Sequence, residues 1–305
     1  MYYFIVNPNA RAGQGEKVWS EIEKILNERK IEYNYFYTKG EEDAKNIAFE
    51  LSSSLKEESF VIVLGGDGTL NEVINGLINL NLITLGVVPI GSGNDFVRSF
   101  KSKINYRDYI NIVLSPKKIV EYNICKMKNL NGERKFIVSS GIGFDASITN
   151  EVNNSRNKLI YTKTPIKNFI YAICTLKILF TYRPLEIKLF EEDKVNIFKN
   201  AYFSVVMNTA YEGKAVMLCP EAKGYDDYID ICIMNTSSKL KVVLLTLSAF
   251  FGKHAKSRNV YISKGKYFKM ECSDETHCHI DGEQFGKSDW TEYSILEKKI
   301  KVIVP

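Results

Sequence analysis

A chain of 305 residues is long enough for two domains with a sizeable core, and its composition is that of an ordinary soluble globular protein. Its net charge of +5 suits an anionic ligand or an anionic membrane surface and is far too weak to imply nucleic acid. The six cysteines are scattered with no C-x-x-C pair and read as reduced, buried thiols of a cytoplasmic protein.

The first 120 residues alternate strand and helix patterns. Tyr3 to Val6 reads as a strand, with no basic segment or cleavage site of a signal peptide around it. Asn7-Pro8-Asn9-Ala10-Arg11-Ala12-Gly13-Gln14-Gly15 reads as a loop. Val18 to Arg29 is amphipathic, with Val18, Ile22, Ile25 and Leu26 on one face. Tyr33 to Tyr37 is the next expected strand and Ala44 to Leu55 the next helix. Phe60-Val61-Ile62-Val63-Leu64 is a short, mostly β-branched run with the character of a buried strand. After it, Leu70, Val73, Ile74, Leu77 and Ile78 recur at helical spacing.

Gly65-Gly66-Asp67-Gly68-Thr69 therefore occupies a strand-to-helix turn. Such a turn exposes backbone N–H groups beside a helix N-terminus, where both donors and dipole favour phosphate. Asp67 is the anomaly, since a carboxylate repels phosphate; its expected work is to hold a cation or a hydroxyl proton. Gly and Asp are ordinary turn residues, and the four residues alone would decide nothing. The strand before, the helix after and the Thr-x-Asn-Glu continuation favour a nucleotide turn. No Gly-Lys-Ser/Thr follows, so it is not a Walker loop, and the dinucleotide G-x-G-x-x-G is absent here.

Leu85 to Ile90 is a further strand, ending in Gly91-Ser92-Gly93-Asn94-Asp95-Phe96. The alternation argues for a parallel sheet covered by helices on both faces, which binds ligands at the carboxyl ends of its strands. The loops Asn7 to Gly15, Gly65 to Thr69 and Gly91 to Asp95 should converge on one crevice.

After about Val120 strands dominate: Val120 to Met127, Lys135 to Ser139, Leu185 to Leu189, Ala201 to Met207, Tyr228 to Met234, Tyr267 to Cys272, Thr276 to Ile280 and Lys301 to Val304. Helices are expected only near Ile166 to Phe180 and Lys239 to Phe251. The expected architecture is an N-terminal α/β domain over 1–120 and a mainly antiparallel β-sandwich over 121–305, whose terminal strand could return to the first domain. The longest apolar stretches, Phe169 to Phe180 and Val242 to Gly252, are too short to span a bilayer.

Six motifs in this order resemble the bacterial diacylglycerol kinase-like lipid kinases, relatives of the diacylglycerol and sphingosine kinase catalytic domain. They are Asn7-Pro8 with its Gly loop, Gly65 to Val73, Gly91 to Phe96, Gly143-Phe144-Asp145-Ala146, Pro220 to Asp230, and Asp281-Gly282-Glu283. The resemblance covers almost the whole chain and implies an ATP-binding α/β domain followed by a β-sandwich. It implies that Asn7 and the loop after it, Thr38, Gly66, Asp67, Gly68, Thr69, Leu70, Asn71, Glu72 and Ser92 line the ATP site. Glu283 would be the general base for the acceptor hydroxyl, and Asp67 would organise magnesium beside the phosphates. Lys223 and Tyr228, through backbone carbonyls, and Asp226, through its carboxylate, would hold a structural Mg2+. Asp227 stands where that loop usually has Gly, and Ser92 where Thr is frequent.

The implied reaction is phosphoryl transfer from ATP to a lipid alcohol, diacylglycerol first, by a cytoplasmic protein peripheral at the inner face of the membrane. A sphingoid base, another glycerolipid or a polyprenol stays open as acceptor, as does a homodimer. An NAD kinase or sugar-phosphate kinase also uses a Gly-Gly-Asp-Gly turn, and a regulator that binds nucleotide or lipid without catalysis is the alternative from another class. The stretch Glu151 to Arg183 holds six Lys/Arg against one acid and reads equally as a solvated helix face or as a contact with an anionic leaflet. Cys272, His277, Cys278 and His279 match no standard zinc spacing. Asp281-Gly282 taken alone is an ordinary hairpin turn.

Overall fold

The computed structural model describes residues 1–100, 105–154, 178–213 and 216–305. The chain divides into two compact units: Met1–Ile124 with Gly224–Asp226 and Leu296–Pro305, and Cys125–Lys223 with Asp227–Ile295.

The first unit is an α/β sheet. Its strands are β1 (Tyr2–Val6), β2 (Tyr33–Tyr37), β3 (Ser59–Gly65), β4 (Ile83–Pro89), β5 (Lys118–Tyr122) and, from the far end of the chain, β15 (Ile300–Val304). They lie in the order β2-β1-β3-β4-β15-β5, parallel throughout except for β5, which runs antiparallel to β15. The helices are α1 (Ala10–Gly13), α2 (Gly15–Glu28), α3 (Asp43–Ser54), α4 (Asp67–Gly76), α5 (Asp95–Arg98) and α6 (Tyr106–Leu114). Val61 to Leu64 are fully buried, as expected of a strand covered on both faces. Val18, Trp19, Ile22 and Leu26 of α2 pack on Phe4, Val6, Ile62 and Leu64. Strand order reverses about β1 and β3, which is where sheets of this kind open a ligand crevice.

Two local expectations change here. The stretch Asn7 to Gly15 contains α1, and α2 begins at Gly15 rather than Val18. Gly15 is required there, because a Cβ would stand 2.1 Å from the Asn7 carbonyl oxygen. The run Val120 to Met127 is two strands that part company at Asn123 and Ile124, where the Asn123 N–H donates to the Gly224 carbonyl. The sequence reading also lacked α6, although Asn105 and Asp108 form a complete capping box at its start.

The second unit is a nine-stranded antiparallel sheet system. Its elements are β6 (Cys125–Asn129), β7 (Gly132–Phe136), β8 (Ser139–Gly143), α7 (Phe144–Asn154), β9 (Leu185–Phe190), β10 (Val195–Met207), β11 (Ile229–Asn235), α8 (Lys239–Ala249), β12 (Val260–Gly265), β13 (Tyr267–Ile280) and β14 (Glu283–Ile295). The path is β12-β11-β10-β8-β13-β14-β6-β7, with β9 pairing both β10 and β13. One core gathers Phe136, Ile187, Leu189, Phe268, Met270 and Tyr293; a second, beneath α7 and α8, gathers Phe144, Tyr202, Phe203, Met207, Cys232 and Val242.

The expected strand Lys135 to Ser139 is a junction between β7 and β8, and the expected strands Tyr267 to Cys272 and Thr276 to Ile280 are one strand with register shifts. The sequence reading lacked β12 and β14; β14 is mostly part-exposed and polar, with little alternation to mark it. Most of Glu151 to Arg183, and the helix expected near Ile166 to Phe180, fall outside the described residues. Among the described residues no helix is long and apolar enough to cross a membrane.

Candidate active site

In the first unit the turns after β3 and β4 meet backbone to backbone. A Cβ on Gly91 would stand 2.4 Å from the Gly66 Cα, and one on Gly66 would stand 3.0 Å from the Gly91 Cα. A side chain is excluded at Gly91 and crowded at Gly66, so the strand ends present bare peptide. The Ile90 N–H donates to the Gly65 carbonyl at 3.0 Å and holds the two turns together. Gly66 is the extended N-cap residue of α4.

Asp67 opens α4 and reaches the second turn. Its Oδ2 accepts from the Asp95 N–H at 3.1 Å and its Oδ1 from the Phe96 N–H at 3.2 Å. Burial pushes the Asp67 carboxyl up, against backbone amides of Asp95, Phe96 and Asn94 that pull it down. Asn94 fixes the same turn, its left-handed backbone (φ 54°) letting its side chain pair with both the N–H and the carbonyl of Gly91. A Cβ on Gly93 would meet Asp67 Oδ2 at 2.9 Å and Asp95 Oδ2 at 3.4 Å, so two carboxylates flank one glycine. Asp95 carried no role in the sequence reading; the signal for it was its place directly after the glycine turn.

The other expected nucleotide residues distribute as follows. Asn7 directly follows β1 and its Nδ2 donates to Thr69 Oγ1 at 2.9 Å. Thr38 directly follows β2, buried, with its N–H on the Val6 carbonyl. Asn7, Thr38, Gly66 and the Gly91 turn with exposed Ser92 thus sit at the carboxyl ends of four adjacent strands. Gly68 is partly buried in the first turn of α4. Leu70 and Asn71 are buried within α4. Glu72 points the other way, its Oε2 accepting from the Ala44 N–H at the start of α3.

In the second unit Asp281 and Gly282 form the two-residue turn between Ile280 and Glu283, which pair in register. Both have positive φ, 47° and 80°, the type I′ geometry that Asp-Gly favours. The turn is anchored. The Asp281 carboxylate accepts from three successive backbone N–H groups, those of Ile137, Val138 and Ser139, at 3.1, 2.9 and 2.9 Å. Those amides explain why β7 and β8 do not continue into one strand. Glu283 is exposed at the start of β14.

Beside that hairpin lies a cluster that sequence reasoning did not assemble. His279 is buried, with Nε2 2.9 Å from Asp145 Oδ2 and 3.4 Å from Glu212 Oε1. Ser139 Oγ donates to the same Glu212 oxygen at 2.8 Å. Burial alone would lower the His279 pKa; the charges of Glu212 and Asp145 and the hydrogen bond to Asp145 override it and raise it to about 9. Two carboxylates beside one imidazole favour its protonated form, and the same three side chains, with ligand atoms all within 4.8 Å of one another, are also a donor set that could hold a metal ion. Gly141 leaves room for the imidazole, since a Cβ there would stand 2.6 Å from His279 Nε2.

Lys223 to Tyr228 form a run of turns, with Lys223 and Tyr228 exposed and Asp226 partly buried. Asp227 has φ 65°, the left-handed conformation for which glycine is usual and Asp is tolerated. Carbonyl and carboxylate oxygens in this loop are a donor set suited to a hard cation.

Residues 1–127 match the diacylglycerol kinase catalytic domain and residues 137–304 the YegS C-terminal NAD kinase beta sandwich-like domain. The Bacillus subtilis (strain 168) protein named "Putative lipid kinase YtlR" is 30% identical over 93% of this chain and 94% of its own length. The chain belongs to the diacylglycerol kinase-like lipid kinase family. A second member from the same strain, named "Diacylglycerol kinase", is 28% identical over 86% of this chain and 82% of its own. The fold of this family member matches the solved structure "A putative diacylglycerol kinase from Bacillus anthracis str. Sterne" with a TM-score of 0.77 at 22% identity, over 100% of this chain and 97% of that one.

Proposed function

We propose that this lipid kinase transfers the γ-phosphoryl group of ATP to a lipid hydroxyl, with diacylglycerol as the acceptor and phosphatidic acid as the product. The observation that carries the reading is the glycine-on-glycine contact of Gly66 and Gly91 above the part-buried Asp67, in a family with members named diacylglycerol kinases. Bare peptide at the carboxyl ends of parallel strands suits a triphosphate, whose transfer is mostly positioning and charge stabilisation.

Glu283 accepts the proton of the attacking hydroxyl as the new oxygen–phosphorus bond forms. The bond from the γ-phosphorus to the bridging oxygen breaks, and ADP leaves. The carboxylates of Asp67 and Asp95, which flank Gly93, would hold magnesium, which would supply charge neutralisation for the phosphate oxygens. Lys223, Asp226 and Tyr228 fit a second, structural Mg2+ that would fix the loop before β11. The protein works at the inner face of the membrane as a peripheral enzyme, because its acceptor resides there.

The test is transfer of labelled phosphate from ATP to a panel of lipids in mixed micelles with magnesium, with NAD and sugars as parallel acceptors. Labelled phosphatidic acid is expected. Labelled NAD or sugar with no labelled lipid would overturn the lipid assignment while leaving the nucleotide site standing.

A further inference from the structure

We propose that the outward face of α8 and the turn after it dock this protein on an anionic lipid leaflet; this rests on the lipid-kinase reading and names the surface by which the enzyme reaches its acceptor. The helix Lys-Leu-Lys-Val-Val-Leu-Leu-Thr-Leu-Ser-Ala is apolar nearly all round. A helix of that kind belongs in a protein core or against hydrocarbon. Here only one side is in the core: Val242 and Ala249 are buried, and Val243 and Leu245 pack against the same cluster.

The other side is open. Leu240, Leu244 and Leu247 are 68%, 56% and 57% exposed, and Phe251 in the following turn is 74% exposed. Their spacing of four, three and four residues places them in one stripe. Scattered exposed leucines are ordinary on a soluble protein, whereas a contiguous stripe of them marks an interaction surface. Phe180 extends it, since the Lys239 ammonium lies 5.8 Å from its ring and is also hydrogen-bonded to its backbone carbonyl.

Charge identifies the occupant. Residues 231 to 270 contain eight Lys/Arg and no Asp or Glu, while the whole chain is only +5, so the rest of the chain is net acidic. The basic residues bracket the stripe: Lys239 and Lys241 at the start of α8, and Lys253, Lys256 and Arg258 after it. Lys253 Nζ lies 6.0 Å from the Phe251 ring, so the cation sits beside the apolar side chain that would enter the leaflet. An apolar stripe with cations at both of its ends fits lipid tails below and anionic headgroups beside them, which a protein partner with an ordinary mixed-charge surface would not match.

The experiment is co-sedimentation with extruded vesicles of phosphatidylcholine alone and of phosphatidylcholine containing phosphatidylglycerol. The wild type is expected to bind the anionic vesicles and to lose them in high salt. Leu244→Gln with Leu247→Gln should weaken binding at least about tenfold, since it withdraws two leucine side chains from hydrocarbon. Lys239→Gln with Lys241→Gln should weaken it about fivefold per lysine on anionic vesicles only. Both variants should melt as the wild type does and keep its rate on a short-chain diacylglycerol dissolved as monomer.

Unchanged vesicle binding in the leucine variant would overturn the proposal. So would a wild type that binds no vesicles, or a wild-type dimer in ultracentrifugation that the leucine variant dissolves. Vesicle binding without phosphate transfer would leave the docking face standing and the kinase reading fallen. Transfer to the dissolved acceptor without vesicle binding would do the reverse.

Discussion

Asp281 and His279 show what single residues contribute to the hairpin that carries Glu283. The three amides on Asp281 fix a turn whose tip would otherwise be free to fray, so Glu283 enters β14 with a defined backbone. His279 couples that strand to Asp145 and Glu212 by charge. Its folded pKa of about 9 lies above the ordinary 6.5, so its proton adds stability fully below pH 6.5, and that contribution fades as pH rises through about 9. Denaturant unfolding across this window should show the wild type losing up to a few kcal/mol. His279→Gln should be less stable at neutral pH and lose less stability over the same range; an equal slope in both would contradict the ion-pair assignment. None of this was legible in the sequence as a cluster. Asp145 and Asp281 were visible inside motifs, and Glu212 was not, because three residues from distant segments meet only through the pairing of β8 with β10 and β13.

At the scale of elements, the strand-turn-helix units of the first half were legible because β-branched runs and helical spacing point the same way there. The boundaries that shifted did so for local reasons: a glycine needed at Asn7, a break where Asn123 bonds Gly224, and a junction where the amides of residues 137 to 139 serve Asp281. Strands β12 and β14 carry too little buried alternation to be legible in the sequence. The meeting of the turns after β3 and β4 is the element-scale feature with the sharpest consequence. Gly91→Ala places a methyl 2.4 Å from the Gly66 Cα, which only backbone movement can relieve. It should destabilise the protein by about 1–3 kcal/mol and weaken ATP binding measured by calorimetry. Wild-type stability and affinity in that variant would show that the turns need not touch.

For the whole molecule, the sequence order of motifs conveyed both the α/β and the β-rich unit, and the chain's last strand is built into the first unit's sheet between β4 and β5. What the sequence conveyed poorly was surface. The lack of acids in residues 231 to 270 is plain in the chain, but the apolar stripe is visible only once one side of α8 is known to be buried. The proposed phosphoryl transfer assigns the nucleotide to the glycine turns and proton removal to Glu283. It is tested most directly by measuring ATP affinity and the rate of phosphatidic acid formation on the same preparations of wild type and Glu283→Gln. In the variant, ATP affinity should be unchanged within about twofold and kcat lowered by about two to four orders of magnitude. A variant that turns over at the wild-type rate would contradict it.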